Sequence, residues 1–595
     1  MIRRTLHAAA LVVLALRSPS AAAQPTDPPA TQPTTPAATQ PASQPSARPA
    51  PAPAARKPSA PAAAHPAPAS DDGDLFGGAP EAIAPEETAQ QEPTRPPLFV
   101  LNGFIQGQVG LFTDPQHKNR KELDKDGDEY WVDHGDLAGK LSMLRGTLQL
   151  EGDFNPSRYA SVHFVLRGVR SLRLKADEVH AAPPDGAAAG EPSAWVMDKY
   201  YNELDVRELY VDINPAPWIN IRIGRQQVAW GDLGQYRLLD IINPTNATWH
   251  FANLEQARDQ RIPLTILKAM LDVRPLAGSL EFVWVPMIDR AESTVSVPLT
   301  FVGAWGLPSA GPRDFKSSFK IKRKTPLYPG GDIEDTRLGV RWLGTLGSFS
   351  YSLVYYWTHL LSPPIATGFY QRWDKARGAL ESDVDVMLEF PRQHITGFSL
   401  EYLFKAPVST VARLEASYTP NGVFSGASVP AGELVTDNFE VGKDLYTRLP
   451  TFQKHLLSYG VQLMRPTFIR WLNPNQTFML VAQFLHSIIL DYDEKERMVA
   501  AAGYDSTRVS RHSMTIGGAI MTSYLHGLLV PSVSGGYLPQ GGAHSGFLSL
   551  RLGLVLGTSM RAALTYTAFF GQDAYKGLGL FRDRDEVNLA ASYQF

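Results

Sequence analysis

Apolar and polar side chains alternate in runs of about ten residues along most of the chain after residue 97. The last run, EVNLAASYQF, shows the pattern: Val587, Leu589, Tyr593 and Phe595 share one face, and small or polar residues share the other. Because successive side chains of a strand point to opposite faces, such a run predicts a strand with one apolar and one polar face. This strand ends on a bare aromatic residue, without the charge or tail that usually protects a sheet edge.

Short and long links alternate between these runs. LSMLRGTLQLEGDF and YASVHFVLRG are joined by NPSR, whereas the first run is followed by a long polar loop containing KNRKELDKDGDEYWVDHGD. A closed barrel explains both features, since closure removes the sheet edges and lipid covers the apolar faces. The sequence therefore predicts an all-β transmembrane antiparallel β-barrel of about eighteen strands over residues 98–595. A solenoid or sandwich array would show fixed internal repeats, and we find none.

Two segments precede the predicted barrel. Residues 1–23 have a basic start, MIRR, then a short apolar run and small residues, which is the pattern of a signal peptide. Residues 24–97 are rich in Pro, Ala, Thr and Gln, a composition that buries too little apolar surface to fold, and we interpret them as a disordered periplasmic spacer. The island DDGDLFGGAP within it is either solvated spacer or a short docking motif.

Composition narrows the function. The 595 residues are 44% hydrophobic and 19% charged, with a formal net charge of −3 and no cysteine. Disulfides, thiolate metal sites, a cysteine nucleophile and a lipidated N-terminal cysteine are therefore excluded. The near-neutral charge disfavours nucleic acid as a partner, and no cofactor is predicted. The expected location is the bacterial outer membrane, with its lipids as partners.

The polar faces of the runs predict which side chains face the lumen. Strand parity gives the following candidates: Arg145, Glu151, His163, Arg167, Glu208, Asp212, Arg222, Arg337, Arg341, Arg413, Glu415, Arg551 and Arg561. Arginine dominates the set, and its planar fork suits carboxylate or phosphate ligands. The alternative is structural, because arginine and glutamate facing each other across a barrel also stabilise its interior.

Residues 221–246, IRIGRQQVAWGDLGQYRLLDIINPTN, interrupt the alternation with glycines and an apolar link. An exterior loop has little reason to expose leucine and isoleucine, so we expect this link to fold into the lumen. The predicted constriction residues are Arg225, Gln226, Trp230, Tyr236, Arg237 and Leu238.

The same stretch carries a family resemblance. GRQ at 224–226, WG at 230–231 and INP at 242–244 resemble a family of Gram-negative outer-membrane proteins known as a domain of unknown function. That family is associated with RND-type exporters and periplasmic lipid-carrier-like proteins, which implies transport of a hydrophobic or amphipathic molecule. GRQ followed by an aromatic residue and glycine is also similar to alginate-export porins, which would imply an anionic solute. The terminal strand resembles the signal that the outer-membrane assembly machinery reads.

Three classes of function remain open from the sequence. A porin-like transport channel is the first, an anchor that uses the Pro-rich arm is the second, and a barrel-embedded hydrolase is the third. Histidines 163, 250, 394, 455 and 486 are scattered, and GxSxG and HExxH motifs are absent, so we predict no enzymatic activity and no catalytic residues. Asp124, Asp126 and Asp128 are weak Ca²⁺ candidates, since the loop lacks the full EF-hand order.

Overall fold

The computed structural model describes seventeen segments of the chain. They are residues 97–113, 119–123, 129–133, 138–139, 141–171, 202–234, 237–245, 257–287, 319–323, 336–360, 365–380, 384–426, 441–499, 509–539, 544–571, 577–582 and 584–595. The predicted signal peptide, nearly all of the predicted spacer, Tyr236 and the three Ca²⁺ candidates lie outside these segments. Within them, no helix has the length and apolarity that a membrane span requires.

Eighteen strands form the barrel, and we number them in chain order. The first nine are β1 (Phe99–Phe112), β2 (Leu141–Ser157), β3 (Ala160–Ser171), β4 (Glu203–Ala216), β5 (Ile219–Gln226), β6 (Leu264–Val273), β7 (Gly278–Val285), β8 (Arg337–Leu346) and β9 (Phe349–His359). Each strand pairs antiparallel with the next. This half of the ring contains the strands that flank the stretch singled out in the sequence.

The second half completes the ring. Its strands are β10 (Arg392–Phe404), β11 (Thr410–Gly426), β12 (Thr451–Thr467), β13 (Phe478–Ile489), β14 (His512–Met521), β15 (Leu529–Leu538), β16 (Ser545–Leu556), β17 (Met560–Phe570) and β18 (Glu586–Gln594). β18 pairs antiparallel with β1 and closes the sheet. The predicted all-β barrel and its strand number are confirmed.

The links alternate in length as predicted. Residues 158–159, 217–218 and 347–348 are tight turns at one end of the barrel, whereas residues 227–263 and 286–336 are long links at the other. The start of β1 and the end of β18 lie at the same end of the barrel as the short turns.

Smaller elements lie in the long links. A four-stranded sheet joins Phe319–Arg323, Val384–Glu389, Ile365–Gln371 and Leu445–Arg448 in that order. The remaining elements are short: the strand pairs Asn119–Leu123 with Glu129–Asp133 and Trp373–Asp374 with Ala379–Leu380, the strand Met498–Val499, the α-helix Ala257–Gln260, and the 3₁₀ turns Arg274–Leu276, Glu494–Glu496 and Gly577–Phe581. All of these elements except Arg274–Leu276 lie at the end of the barrel that carries the long links. Arg274–Leu276 forms the tight turn between β6 and β7 at the other end.

Side-chain alternation separates the two faces of the wall. Leu148, Leu209, Leu353 and Leu550 are exposed on the outer face, where lipid replaces a protein partner. One bulge shifts the parity in β4, because Arg207 and Glu208 are consecutive and both buried. The extra residue keeps the inward face polar on both sides of the bulge.

Phe595 belongs to the closing seam. Its N–H donates to the Gly103 carbonyl and its carbonyl accepts from the Gly103 N–H, both at 2.9 Å. A Cβ atom at Gly103 would lie 2.7 Å from the Phe595 ring, so the ring packs directly on the β1 backbone. The final residue therefore supplies both hydrogen bonds and apolar contact where the barrel closes.

Removal of Phe595 is expected to reduce the yield of assembled barrel, because the seam loses two backbone hydrogen bonds and the ring over Gly103. The measurement is the heat-modifiable fraction in outer-membrane preparations, beside the control variant Trp471→Ala at an exposed turn residue. Wild-type yield from the truncated chain would contradict the prediction.

Candidate functional site

We call the link between β5 and β6, residues 227–263, the inner loop; its described parts, residues 227–234, 237–245 and 257–263, fold into the lumen. It leaves the wall after Gln226, two residues beyond Gly224, whose φ of +137° belongs to a region that residues with a Cβ rarely adopt. A Cβ there would also collide with the Leu209 carbonyl oxygen on β4. Glycine is therefore required within β5, two residues before the chain departs from the sheet.

An apolar cluster joins the inner loop to the wall. The loop contributes Val228, Trp230, Leu239 and Ile242, all buried. Their partners stand at inward positions of β6, β7 and β9 and are also buried: Leu264, Ile266, Val283, Val285, Val354 and Tyr356. Apolar side chains would be unfavourable on a wetted lumenal wall, and the loop removes them from water.

Trp230 is the largest side chain of this cluster and has no exposed surface. Its Nε1 donates to Glu281 Oε1 on β7 at 3.2 Å, and its ring meets Tyr356 edge-on, with centroids 6.0 Å apart. Gly339 on β8 provides the space, since a Cβ there would lie 2.5 Å from the indole ring. The loop is thus anchored by both packing and a hydrogen bond.

Polar groups fix the internal shape of the inner loop. Asn243 accepts a hydrogen bond from the Val228 N–H at 2.7 Å and donates to the Ile262 carbonyl at 2.8 Å. Buried Asp240 binds Arg237 at 2.6 Å and Arg261 at 2.9 Å through the same oxygen. These contacts hold the start and the end of the loop together. Less conformational entropy is therefore lost when the middle of the loop packs against the wall.

The far end of the loop reaches the opposite strands. Glu415 on β11 accepts hydrogen bonds from the N–H groups of Asp232 and Leu239. Gln483 on β13 donates to the Leu233 carbonyl at 2.8 Å. Glycines again make room, because a Cβ at Gly460 would lie 2.6 Å from Leu233. The loop therefore extends across the inside of the barrel from β5 to β13.

The last part of the inner loop docks on β2 to β4. Arg207 donates hydrogen bonds to the carbonyls of Arg258, Asp259 and Arg261, each at 2.8 Å. It thereby supplies partners for carbonyl groups that the short helix Ala257–Gln260 leaves without an intrahelical hydrogen bond. The same segment pairs Arg258 with Glu151 at 3.2 Å and Asp259 with Arg167.

Most of the charged side chains around the inner loop that the structure describes form ion pairs. Arg222 binds Asp212 through two hydrogen bonds of 2.8 and 2.9 Å, and its guanidinium lies 4.1 Å from the centre of the Tyr210 ring. Arg413 pairs with Glu401 at 2.5 Å. Asp232 differs, because its side chain is 49% exposed and lies 3.9 Å from Arg341. It therefore presents charge to the lumen at the end of the loop.

The wall formed by β14 to β18 and β1 has a different inner face. Its inward positions are mostly small and neutral: Ser513, Thr515, Gly517, Ala519, Ser532, Ser534, Ser549, Thr565, Thr567, Asn588, Ala590, Ser592, Gln106 and Gln108. Ser549 and Thr567 hydrogen-bond each other across the strands at 3.2 Å. We call this sector the neutral wall; its charged inward residues are Arg551 and Arg561, both predicted to face the lumen, and buried Glu586.

Comparison with known proteins identifies the family. A family model described as a protein of unknown function, DUF1302, matches residues 4–595. The chain belongs to the DUF1302 family. The resemblance inferred from GRQ, WG and INP is thus confirmed at the level of an unknown-function family, whereas the association with exporters and the similarity to alginate porins stay predictions. No curated protein matches the sequence.

Several solved structures are similar to this DUF1302 member. Acinetobacter baumannii OccAB3 has 8% identity and a TM-score of 0.41, covering 84% of this chain and 99% of its own. Pseudomonas aeruginosa OpdK with vanillate has 9% identity and a TM-score of 0.38, covering 83% and 98%. Salmonella typhi OmpF in complex with daunomycin has 8% identity and a TM-score of 0.34, covering 84% and 97%.

The structure places the predicted lumen residues at buried or half-buried positions of the wall. Arg145, Arg167, Glu208, Arg337, Arg341 and Glu415 are buried. Half-buried positions hold the others: Glu151, His163, Asp212, Arg222, Arg413, Arg551 and Arg561. Several of them bind the inner loop or each other, which is the structural role weighed from the sequence.

The predicted constriction residues fall into separate environments. Gln226 is wholly buried and donates to the Ile266 carbonyl at 3.0 Å, and Trp230 lies in the apolar cluster. Arg225 binds both oxygens of Asp205, at 3.0 and 2.7 Å, and Arg237 binds Asp240. Leu238 is half-buried. Whether these residues narrow a pathway stays a prediction.

Sequence reasoning missed the partners that hold the loop. Glu281, Arg207, Asp240 and Gln483 are buried and form hydrogen bonds or ion pairs with its residues, yet none was singled out. Strand β7 contains a signal that could have shown the docking site, because Val283 and Val285 point to the same inward face as Glu281. Apolar side chains at inward positions indicate that something covers that part of the lumen.

Proposed function

We propose that this DUF1302 barrel is an outer-membrane transport channel and that the inner loop is its constriction. A closed barrel with an exposed apolar outer face is an architecture of the outer membrane. The observation that supports the proposal is the route of the loop, which crosses the lumen to Glu415 and Gln483 and leaves the neutral wall on the other side.

Solutes would pass between the loop and the neutral wall. One side of this route carries exposed Asp232 near Arg341 and Arg413, and the other carries hydroxyl groups and small side chains. Hydroxyls can exchange hydrogen bonds with a passing solute, whereas the charged side sets ion preference. The proposed cargo class is hydrophobic, amphipathic or anionic, and coupling to a periplasmic partner or RND-type exporter is proposed on the family resemblance alone.

The hydrolase alternative has little support in the described residues. Three of the histidines considered from the sequence, His394, His455 and His486, stand on the outer face and contact tyrosine hydroxyls at 2.9 to 3.0 Å. His163 pairs with Asp153 at 2.8 Å and stacks on Tyr210. We therefore propose a non-enzymatic role.

Single-channel recording in planar bilayers tests the proposal. The purified full-length protein is expected to produce discrete conductance steps. Asp232→Asn is expected to shift ion selectivity toward anions, because it removes an exposed negative charge beside the route. Ser348→Lys is the control, since it also adds one positive unit but lies in an exposed turn. Absence of conductance, or equal selectivity shifts in both variants, would refute the assignment.

A further inference from the structure

The wall contains a seam where two neighbouring strands separate. Backbone pairing of β10 with β11 runs from Phe404 and Thr410 to Thr396 and Tyr418 and stops there. β10 nevertheless continues to Arg392 in full register with β9. β11 likewise continues to Gly426, paired with β12. Among the described strands, residues 393–395 therefore have registered partners on β9 only, and Thr419 and residues 422–424 have them on β12 only.

The sequence of β11 explains the separation. Pro420 has no N–H to donate to β10, and Asn421 has a φ of +57°, which turns the backbone out of the extended conformation. The register with β12 shifts between Thr419 and Gly422, as expected for a bulge. Beyond it, Ser425 and Gly426 pair with the short strand Met498–Val499, which bounds the seam at its outer end.

The inner mouth of the seam is apolar. Leu239 of the inner loop packs on Gly397, where a Cβ would lie 2.5 Å from its Cδ2. Ile395 stands at an inward position of β10 beside the seam, and it packs, together with Ile241, against the apolar cluster of the loop. Leu239 has no exposed surface and therefore covers the inner mouth, whereas Ile241 and Ile395 beside it are half-buried and aliphatic.

The outer mouth is lined by aromatic and imidazole groups. Tyr355 and His394 form one pair with a contact of 2.9 Å, and Tyr418 and His455 form another at the same distance with stacked rings. These groups have an apolar body and a polar tip, so they suit the boundary between acyl chains and head groups.

We propose that the β10–β11 seam is a lateral passage between the lumen and the outer leaflet for an amphiphile with an acyl chain. This inference rests on the proposed transport function and specifies its cargo. The acyl chain would displace the Leu239 side chain from Gly397 and pass beside Ile395, and the polar head would meet the Tyr–His pairs. A fully hydrogen-bonded wall offers no such route, because every backbone group is used in the ladder.

Photolabelling tests the passage. The full-length protein is reconstituted in vesicles of phosphatidylcholine carrying a diazirine in the acyl chain, irradiated, and mapped by mass spectrometry. We expect label on Leu239 and Ile241 of the inner loop as well as on lipid-facing Leu550. A disulfide in His394→Cys/Pro420→Cys, the next outward pair of the β10–β11 register, should lower lumenal labelling by about tenfold or more, because it closes the gap between β10 and β11.

The chain has no cysteine, so the bridge is unique; a short bis-maleimide replaces the disulfide if the two sulfurs stay apart. Leu400→Cys/Leu414→Cys, a paired outward position below the seam, is the matched control. Pro420→Thr, which restores the missing N–H, provides an independent closure and should also lower lumenal labelling. Reduction of the disulfide should restore the label.

Labelling and conductance are measured on the same preparation. If Leu550 is labelled but Leu239 and Ile241 are not, or if bridging and Pro420→Thr leave their labelling unchanged, the lateral passage is refuted while conductance still supports the channel. If no conductance is seen, the proposed function fails whatever the labelling shows.

Discussion

Excision of residues 229–241 is expected to raise the single-channel conductance several-fold. Among them, Asp232, Leu233 and Leu239 reach Glu415 and Gln483 across the lumen, so excision widens the space beside the neutral wall. The design is compatible with the backbone, because the Val228 N–H lies 2.7 Å from Asn243 Oδ1 and a two-glycine link can bridge the cut. The measurement is conductance in planar bilayers, beside size exclusion of neutral polymers.

A hairpin excision outside the barrel provides the control. Trp373 and Leu380 are paired across a short exterior hairpin, so residues 374–379 can be removed with a similar bridge. This variant should keep the wild-type conductance. Equal conductance in the inner-loop variant would place residues 229–241 outside the pathway and leave the proposed constriction without support.

The barrel could be predicted from the sequence because its rules are local. Alternation in a run such as EVNLAASYQF reports which face meets lipid, and the alternation of short and long links reports the topology. The inward fold of the inner loop was also expected, since Leu238, Leu239 and Ile242 need cover. In each case the signal lies within one segment of chain.

The details of the site depend on contacts between distant segments. Glu415 lies 176 positions from Leu239, and Gln483 lies 250 positions from Leu233. Parity gives the side of the wall on which Glu415 lies, but it does not give the height in the barrel or the partner across the lumen. For the same reason the sequence does not show that Arg225 and Arg237, two of the predicted constriction residues, pair with Asp205 and Asp240.

The seam shows a similar limit. Pro420 and Asn421 are visible in the sequence, and a proline in a strand suggests a bulge or an edge. Only the registers show that β11 leaves β10 and stays with β12 at this point. Strand counting alone would treat the wall as uniform, because both strands are long enough to span the membrane.

Trp230→Ala is expected to free the inner loop while the barrel stays assembled. Truncating a fully buried aromatic side chain costs about 3–5 kcal/mol, and the hydrogen bond to Glu281 is lost as well. This loss acts on loop docking, because the ladder of the eighteen strands does not involve the indole. Recordings should show flicker between the wild-type level and a higher level equal to that of the excised loop.

Two further variants test the separate contributions. One separates the packing of the Trp230 ring from its hydrogen bond, and the other shows whether removal of any tryptophan has the same effect. Trp230→Phe keeps an aromatic ring beside Tyr356 but cannot donate to Glu281, so its flicker should be weaker than that of Trp230→Ala. Trp471→Ala removes an indole that is 82% exposed in a turn and should match the wild type.

A steady wild-type conductance in Trp230→Ala would show that Glu415, Gln483 and Arg207 hold the loop without the apolar anchor. Failure of that variant to form a heat-modifiable barrel would show instead that the cluster around Trp230 is needed for folding of the wall, contrary to the separation of loop and barrel argued above.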